Sequence, residues 1–326
     1  DPMTLMFRTP RFLKKCTLLV AIGFGILSLV VQGGESYIAA EAFSGKILLE
    51  LDADQKRPVA SLTKIATAMV VLDWAELSKT SMAEMAMVPT TVASLGGSNP
   101  MGLIPGDRIS LREAMYSMLL GSDNVSAYTL ADHAGRSIQT RSGGSSPVGA
   151  FVTEMNILVR GLGMPSTHFA NPHGMDTAKQ RGVSTARDMA RLGIYAMRNT
   201  GFQFYVKQSQ RIIASYRGSQ KRAFKVRNTH FLIGKDDVNG IKSGNTVLAG
   251  SCAATSSEKK PIVQKLENGA TRLTGRRLII ITLDSPDRWR MTQTLINQGW
   301  AAYEGWRQQG SPVSQARELL SVPAPK

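Results

Sequence analysis

Segments with the pattern of β-strands stand near both ends of this chain, and the segments between them have the pattern of α-helices. Residues 36–51 form two apolar runs around Ser44 and Gly45, which predicts an opening β-hairpin. Strand patterns and a polar hairpin fill the last third, at 211–216, 238–246, 249–256, 256–275 and 276–284. Strands on both sides of a helical block favour an antiparallel sheet flanked by helices, with an all-helical subdomain inserted at about residues 60–200. The sequence therefore predicts an α+β fold.

Helical patterns occupy the middle of the chain and return near its end. The first helix is expected after Pro58, where apolar residues recur at helical spacing. The others are expected at about 111–120, 124–134, 151–164, 185–198 and 288–306. Residues 79–110 contain several glycines and prolines, so this stretch is predicted to be irregular.

The N-terminal segment has the pattern of an export signal. Four basic residues precede an uncharged run of 16 residues from Cys16 to Val31, which is shorter than the roughly 20 residues of a membrane span. Residues 1–33 are therefore predicted to be a signal peptide or an N-terminal anchor, residues 34–309 the main domain and residues 310–326 a C-terminal tail. The protein is expected to be exported to the periplasm or cell envelope, with membrane association through the N-terminal segment only.

Charge and cysteine content narrow the classes of partner and cofactor. The net charge of +15 predicts attraction to polyanions, yet the basic residues are scattered and no nucleic-acid motif is present. Anionic cell-wall polymers therefore fit an exported protein better than nucleic acid does. The sequence has no metal-type Cys/His spacing and no Gly-rich phosphate loop, so neither a metal nor a cofactor is expected. Cys252 lies in an apolar strand pattern and is predicted to be a buried, inert thiol.

Ser61 and Lys64 stand three residues apart at the start of the first predicted helix. Residues at this spacing share a helix face, so the amine can reach the hydroxyl. A lysine amine with its ordinary pKa of about 10.4 is protonated, but burial or a nearby cation would lower that pKa and free a lone pair. Ser61 would also lie in the first helical turn, which favours a developing oxyanion. The alternative is that Ser61 is a helix cap and Lys64 a solvated side chain.

Ser122, Asp123 and Asn124 form a tight connection between two predicted helices. Such a loop can hold a hydroxyl and an amide on rigid supports for proton transfer and for binding a substrate amide. The alternative is that Ser122 or Asp123 only caps the helix that follows.

Lys242, Ser243 and Gly244 lie within a predicted strand. Strand alternation places Lys242 and Gly244 on one face and Ser243 on the other, and a glycine leaves space for a ligand lying along the strand. A cation and a hydroxyl beside an open edge suit a carboxylate-bearing peptide that binds by strand addition. The alternative is a polar edge strand that lysine keeps soluble.

The three segments resemble, in order, the S-x-x-K, S-D-N and K-T-G motifs of penicillin-binding proteins and class A β-lactamases. Their flanks, among them P-V-A-S-L-T-K-I-A-T-A and F-A-N-P-H-G-M-D, extend the resemblance from Tyr37 to about Trp306. On these residues the chain resembles the low-molecular-mass penicillin-binding proteins, the D-alanyl-D-alanine carboxypeptidase and endopeptidase family of serine peptidases. The resemblance implies a β-lactamase/transpeptidase-like fold.

The resemblance also implies the catalytic residues. Ser61 would attack the carbonyl of a terminal D-Ala-D-Ala bond in a peptidoglycan stem peptide, and neutral Lys64 would take its proton. Ser122 would relay a proton to the leaving amine, and water would then hydrolyse the acyl-enzyme. A β-lactam antibiotic would acylate the same serine and leave slowly, as a covalent inhibitor.

The substrate-binding residues are implied in the same way. Asn124 would bind the substrate backbone, Lys242 would supply positive potential, and Ser243 would hold the terminal carboxylate. Gly244 would lie beside the bound peptide, and the backbone N–H of Asn245 would complete the oxyanion hole with that of Ser61.

The chain departs from the family pattern at three positions. It also contains His173, which could be taken for a catalytic base. Ser243 replaces the commoner Thr, Asp123 stands where many carboxypeptidases of the family have Gly, and Met175 replaces the usual Leu. His173, in N-P-H-G, is expected to order a loop beside the cleft rather than to catalyse.

Carboxypeptidase activity is the main functional prediction, and three alternatives stay open. A DD-endopeptidase would use the same residues on a cross-link between stem peptides. A class A-like β-lactamase would need a Glu to activate the deacylating water, but residues 157–187 contain none and Glu154 is expected at a solvent-facing helical position. A noncatalytic wall-binding protein would usually have lost Ser61 or Lys64, and both are present.

Overall fold

The computed structural model describes residues 34–177 and 180–324. The predicted signal peptide or anchor at residues 1–33 lies outside the described residues. In chain order the strands and helices are β1 (Ser36–Glu41), β2 (Ile47–Leu51), α1 (Thr63–Ser78), β3 (Met85–Met87), β4 (Arg108–Ser110), α2 (Leu111–Leu120), α3 (Asn124–Ser142), α4 (Pro147–Gly161), α5 (Ala186–Ala196), α6 (Thr200–Val206), β5 (Gln210–Arg217), β6 (Gln220–Arg227), β7 (Val238–Thr246), β8 (Gly250–Lys265), β9 (Thr271–Leu283) and α7 (Arg288–Gln308).

Two antiparallel sheets organise these elements. The larger has the strand order β2-β1-β9-β8-β7, so β1 from the start of the domain pairs with β9 from its end. The smaller has the order β3-β4-β5-β6 and lies among the helices. The predicted α+β class, the opening hairpin and the helices inserted between sheet segments are confirmed, but the inserted subdomain is not all-helical, because β3 and β4 lie within residues 60–200 and join the smaller sheet.

The second half of strand β9, residues 277–283, is buried on both faces, which explains its unbroken apolar run. Ile279, Ile281 and Leu283 belong to the main core, which also contains apolar residues of α1 and α5. Ile280 belongs to a second core with Trp300 and other apolar residues of α7. Burial of an isoleucine or leucine side chain stabilises the fold by about 1.5–3 kcal/mol, so this strand anchors both helical layers.

The sequence prediction missed or shortened several elements. Helix α6 and strand β6 were not predicted, and short strands β3 and β4 interrupt the stretch expected to be irregular. The predicted polar hairpin at 256–275 is mostly strand, because β8 continues to Lys265 and β9 begins at Thr271. Much of the arm that β8 and β9 form at residues 256–275 is exposed to solvent, and so is much of β6. Neither segment therefore shows the apolar alternation that marks a buried face.

The C-terminal tail packs against the domain. Leu320 is buried and its backbone N–H donates to the carbonyl of Gly45 over 2.8 Å. Glu318 pairs with Lys46, and Arg198 donates to the carbonyl of Val322 over 2.8 Å. The boundaries at residues 33 and 309 stay predictions. None of the helices in residues 34–177 and 180–324 combines the length and the apolar character needed to cross a membrane.

Candidate active site

Ser61 lies in a short 3-10 turn, Ala60–Leu62, and α1 begins only at Thr63. Ser61 therefore lies two residues before the α-helix, in a 3-10 turn that leads directly into it, and not in the first turn of the α-helix as expected. Ala60 has φ +49°, a conformation that non-glycine residues rarely adopt. Gly174 packs against it so closely that a Cβ at residue 174 would lie 1.9 Å from the Ala60 carbonyl oxygen. The turn that presents Ser61 is thus held by a neighbouring loop as well as by its own backbone.

The Lys64 amine is fully buried and has three hydrogen-bond partners. Its Nζ lies 2.9 Å from Ser61 Oγ, 2.7 Å from Asn124 Oδ1 and 2.7 Å from the carbonyl oxygen of His173. Burial lowers the pKa of Lys64 to about 7, although the negative charge of Asp123 acts to raise it. Lys64 is therefore not the solvated side chain of the alternative interpretation.

The three contacts suit both protonation states of the amine. An ammonium can donate to all three oxygens. The neutral amine has two N–H donors, which satisfy Asn124 and His173, and its lone pair then points to the Ser61 hydroxyl. In that arrangement the Lys64 amine could accept the serine proton.

The S-D-N segment lies between α2 and α3, as the sequence predicts. Ser122 has φ +59° and is partly exposed. Asp123 caps α3, because its carboxylate accepts hydrogen bonds from the Ser126 N–H (3.1 Å) and from Ser117 Oγ (2.8 Å). Burial raises the pKa of this carboxyl, and its hydrogen bonds and the Lys64 charge act to lower it. Asp123 is therefore a helix cap, as the alternative interpretation predicts. The proton-transfer and substrate-binding roles of Ser122 and Asn124 stay predictions.

Asn124 connects Lys64 to the loop at residues 96–98. Its Nδ2 donates to the carbonyl of Gly96 over 3.1 Å, and its backbone N–H donates to the carbonyl of Ser98 over 2.8 Å. Gly97 (φ +87°) packs against the same side chain, since a Cβ there would lie 2.3 Å from Asn124 Nδ2. The amide that contacts Lys64 is therefore fixed from two sides.

Strand β7 carries the third motif at the edge of the larger sheet. A Cβ at Gly244 would lie 2.9 Å from the Ser61 nitrogen and 3.0 Å from Ala60 Cβ. The expectation that this glycine leaves space for a ligand is therefore wrong at this position, because the Ser61 turn itself occupies that space. Ser243 Oγ donates to Thr229 Oγ1 over 2.9 Å.

Lys242 is fully buried, and its Nζ donates to the carbonyl of Ser243 over 2.8 Å. Burial lowers its pKa well below the ordinary value, and the positive charges of Lys64 and Arg288 lower it further. A solvated edge-strand lysine is therefore excluded. Asn245 is exposed and pairs with Ser251 on β8. Its part in an oxyanion hole stays a prediction.

Two residues that the sequence analysis did not select lie beside this strand. Arg288 begins α7, and its Nη1 donates to the carbonyl of Gly244 over 2.5 Å. Thr229, which follows β6, contacts Ser243. Arg288 and Thr229 belong to no sequence motif with a characteristic spacing, so a single sequence could not have identified them as site residues.

His173 orders the loop beside the cleft, as predicted. Asn171 Oδ1 accepts from the backbone N–H groups of His173 (3.2 Å) and Gly174 (2.7 Å), and His173 Nδ1 accepts from the Met175 N–H over 3.2 Å. Burial and then the Lys64 charge lower the pKa of His173 to about 3, so its ring is neutral at physiological pH.

Two further predictions about single residues can be compared with the structure. Cys252 is buried, as predicted, and burial raises the pKa of its thiol to about 11, which favours the inert thiol that the sequence predicts. Glu154 is partly buried and lines a surface groove with Trp74 and Ile157, among other residues, and none of the three motifs lines that groove.

Comparison with known proteins identifies a family model and several relatives similar to this chain. The family model of peptidase S11, D-alanyl-D-alanine carboxypeptidase, matches residues 31–265. The D-alanyl-D-alanine carboxypeptidase DacA of Escherichia coli (strain K12) is 31% identical over 221 residues, 66% of this chain and 51% of that protein. A D-alanyl-D-alanine endopeptidase of Pseudomonas aeruginosa is 29% identical over 231 residues, 70% of this chain and 68% of that protein. The chain thus spans about half the length of the Escherichia coli relative.

Among solved structures, the chain is similar to a mutant of the Streptomyces K15 DD-transpeptidase. The TM-score is 0.69 and the sequence identity is 26%, over 82% of this chain and 97% of that one. This likeness confirms the predicted transpeptidase-like fold. With the family model covering well over half of its residues, the chain belongs to the peptidase S11 family of D-alanyl-D-alanine carboxypeptidases.

Proposed function

We propose that the protein is a serine DD-peptidase that removes the terminal D-alanine from peptidoglycan stem peptides through an acyl-enzyme. The observation that carries the proposal is the 2.9 Å contact between Ser61 Oγ and a fully buried Lys64 amine whose pKa burial lowers to about 7. About half of such amines are neutral at pH 7, so a general base stands within reach of the hydroxyl.

In the acylation step, the Ser61 hydroxyl proton passes to Lys64 Nζ as Oγ attacks the carbonyl carbon of the penultimate D-alanine. The backbone N–H groups of Ser61 and Asn245 stabilise the oxyanion that forms. The C–N bond then breaks, and the leaving D-alanine amine receives a proton through Ser122. The products of this step are free D-alanine and an ester on Ser61.

In the deacylation step, water attacks the ester carbonyl and transfers a proton to Lys64. The C–O bond to Ser61 breaks, and Oγ takes back a proton as the shortened peptide leaves. Lys64 thus acts as base and then as acid in each half of the cycle, and no group other than water is consumed.

Three residues are proposed to hold the substrate. Asn124 binds its backbone, Ser243 holds its terminal carboxylate, and Lys242 supplies positive charge beside that carboxylate. Burial and then the charges of Lys64 and Arg288 lower the pKa of Lys242 in the free protein, and an incoming carboxylate would raise it. Gly244 keeps the strand close to Ser61, so the bound peptide and the nucleophile share one edge.

The cellular setting is also a proposal. Stem peptides lie outside the cytoplasmic membrane, so the enzyme would be exported to the periplasm or cell envelope by the N-terminal segment, with β-lactam antibiotics as covalent inhibitors. The similarity to an endopeptidase of Pseudomonas aeruginosa keeps cleavage of cross-links as the second candidate function, because both activities use the same residues.

Release of D-alanine from a synthetic pentapeptide that ends in D-Ala-D-Ala tests the proposal. The parent protein should release one D-alanine per peptide, and the Ser61→Ala variant none. A cross-linked peptide dimer, assayed in parallel, separates the two candidates. Cleavage of the dimer without release of terminal D-alanine would replace carboxypeptidase by endopeptidase, and inactivity on both would contradict the proposal.

A further inference from the structure

The hairpin formed by β5 and β6 has an unusual charge. Its residues 210–227 include six basic side chains and no acidic one. The six are Arg211, Arg217, Lys221, Arg222, Lys225 and Arg227. A surface of this kind attracts anions, and the question is which of the six are available to bind one.

Three of the six already have partners in the protein. Arg217 and Arg222 lie 2.8 Å and 3.6 Å from carboxylate oxygens of Asp107, and Arg211 lies over the ring of Tyr116 at 4.6 Å. These three arginines attach the hairpin to the domain.

The other three form what we name the β6 basic face, consisting of Lys221, Lys225 and Arg227. All three are exposed, and none forms an ion pair with another residue in the described ranges 34–177 and 180–324. They are four and two residues apart along one strand, and this even spacing places them on the same side of the sheet. Ile212, opposite Lys225 on β5, is 74% exposed, so nothing in the described chain covers this face.

Strand β6 leads into the active site. It is the last strand of the smaller sheet, so one of its edges has no partner strand in the described chain. Two residues beyond its end, Thr229 contacts Ser243 of the third motif, and its N–H donates to the carbonyl of Leu120 over 2.9 Å. Gly121, which directly precedes Ser122, packs against Val226. A Cβ at Gly121 would lie 3.1 Å from the Val226 side chain. The end of β6 therefore borders the cleft between the second and third motifs.

We infer that the β6 basic face binds carboxylates in the part of the peptide substrate that precedes its two terminal D-alanines, so that the enzyme selects acidic peptides. The inference rests on the proposed function. The open edge of β6 offers backbone groups to an extended peptide, and the three cations offer charge partners along the same strand.

The arm formed by β8 and β9 is a natural comparison, because it is also rich in basic residues. It includes Glu258 and Glu267, however, and two of its arginines are already paired, Arg276 with Glu304 and Arg277 with Glu258. Lys260, Lys265 and Arg272 of the arm are exposed, but they lie on the parts of β8 and β9 beyond Ser257, the last β8 residue that pairs with β7. The arm thus provides a control with the same number of removable charges.

The test uses two synthetic peptides that end in D-Ala-D-Ala and differ only in having two glutamates or two glutamines upstream. The parent should hydrolyse the glutamate peptide with the higher kcat/KM, and salt should reduce this preference. Replacing Lys221, Lys225 and Arg227 with Gln should reduce the preference by about tenfold, since exposed ion pairs each contribute up to about 1 kcal/mol. Lys225→Gln alone should reduce it by about threefold, which covers the case that the triple variant does not fold.

Each variant is also labelled with benzylpenicillin, which reports whether Ser61 still reacts. The arm variant with Lys260, Lys265 and Arg272 replaced by Gln should keep the parent preference. An equal loss in both triple variants, or no loss in either, would overturn the inference while Ser61 labelling left the proposed function standing. Labelling without hydrolysis of either peptide would overturn the proposed function and the inference together.

Discussion

The start of α1 and the edge strand β7 each place one fully buried lysine in the cleft, Lys64 and Lys242. Burial lowers the pKa of both, yet their partners differ. The Lys64 amine contacts three oxygens from three segments, one of them the Ser61 hydroxyl. The Lys242 amine contacts one backbone carbonyl and is surrounded by cations. Because both lysines have a lowered pKa, the pKa alone does not distinguish them, and the contact with the Ser61 hydroxyl is our reason for proposing Lys64 as the base.

The same comparison leads us to propose a different role for Lys242. Burial lowers its pKa, and the positive charges of Lys64 and Arg288 lower it further. A bound substrate carboxylate would raise that pKa, and the protonated Lys242 would then pair with it. We therefore propose that Lys64 acts after losing a proton to solvent, and that Lys242 acts by holding a proton once substrate binds.

The largest expected effect comes from exchanging each lysine for arginine. The guanidinium of Lys64→Arg stays protonated and cannot accept the Ser61 proton, so the rate of acylation by benzylpenicillin should fall by about 10²- to 10⁴-fold. Lys242→Arg keeps a positive charge beside the carboxylate site and should lose less. Time-resolved mass spectrometry gives both rates. Equal losses in the two variants would remove the distinction between the regions.

Gly244→Ala should disturb the contact between the two regions. Its Cβ would lie 2.9 Å from the Ser61 nitrogen, so the strand or the Ser61 turn must shift. A misplacement of this kind can cost about 100-fold in rate, measured as acylation by benzylpenicillin. Gly305→Ala is the matched control, because a Cβ there meets no atom within 4 Å. An unaffected rate in Gly244→Ala would show that the close approach is unimportant.

The acylation rate should depend on pH through Lys64. Its pKa is about 7, so the reactive neutral amine is lost as pH falls below that value. Between pH 8 and pH 6 the neutral fraction decreases by about tenfold, and the rate should follow it. A stopped-flow pH profile with a chromogenic cephalosporin measures this. A rate that rises as the solution becomes more acidic would exclude Lys64 as the base.

The smallest expected effect concerns Asp123, whose negative charge acts to raise the pKa of Lys64. Asp123→Asn should therefore move the midpoint of that pH profile to lower pH and increase the relative rate at pH 6 by about two- to threefold. Ser117→Ala removes a hydrogen bond to the same carboxylate but keeps its charge, so it separates the two contributions. A midpoint that moves equally in both variants would assign the effect to hydrogen bonding.

Much of the fold and the residue types of the site could be predicted from sequence, because they depend on local patterns. The opening hairpin, β7 and the position of Ser61 three residues before Lys64 are of this kind. The burial of Lys64 is different, since its amine contacts residues 60 and 109 positions further along the chain. Only the assembled fold brings these segments together, so the sequence could suggest a base but not determine its pKa.

The errors also have physical causes. Gly244 was expected to make room for a ligand, but its missing side chain makes room for the Ser61 turn, which local strand geometry cannot reveal. Strand β6 was missed because its outward side chains are charged or small, and because Val226 is the only buried residue in the strand. Arg288 was missed because its contact with Gly244 joins two elements 44 residues apart.

The central claim is that Ser61, activated by Lys64, is the nucleophile of the site. Intact mass after incubation with benzylpenicillin tests it most directly, with the parent chain compared with its Ser61→Ala variant. The account predicts one stable penicilloyl adduct on the parent and none on the variant. An adduct on the Ser61→Ala variant, or none on a folded parent that leaves the antibiotic intact, would contradict it.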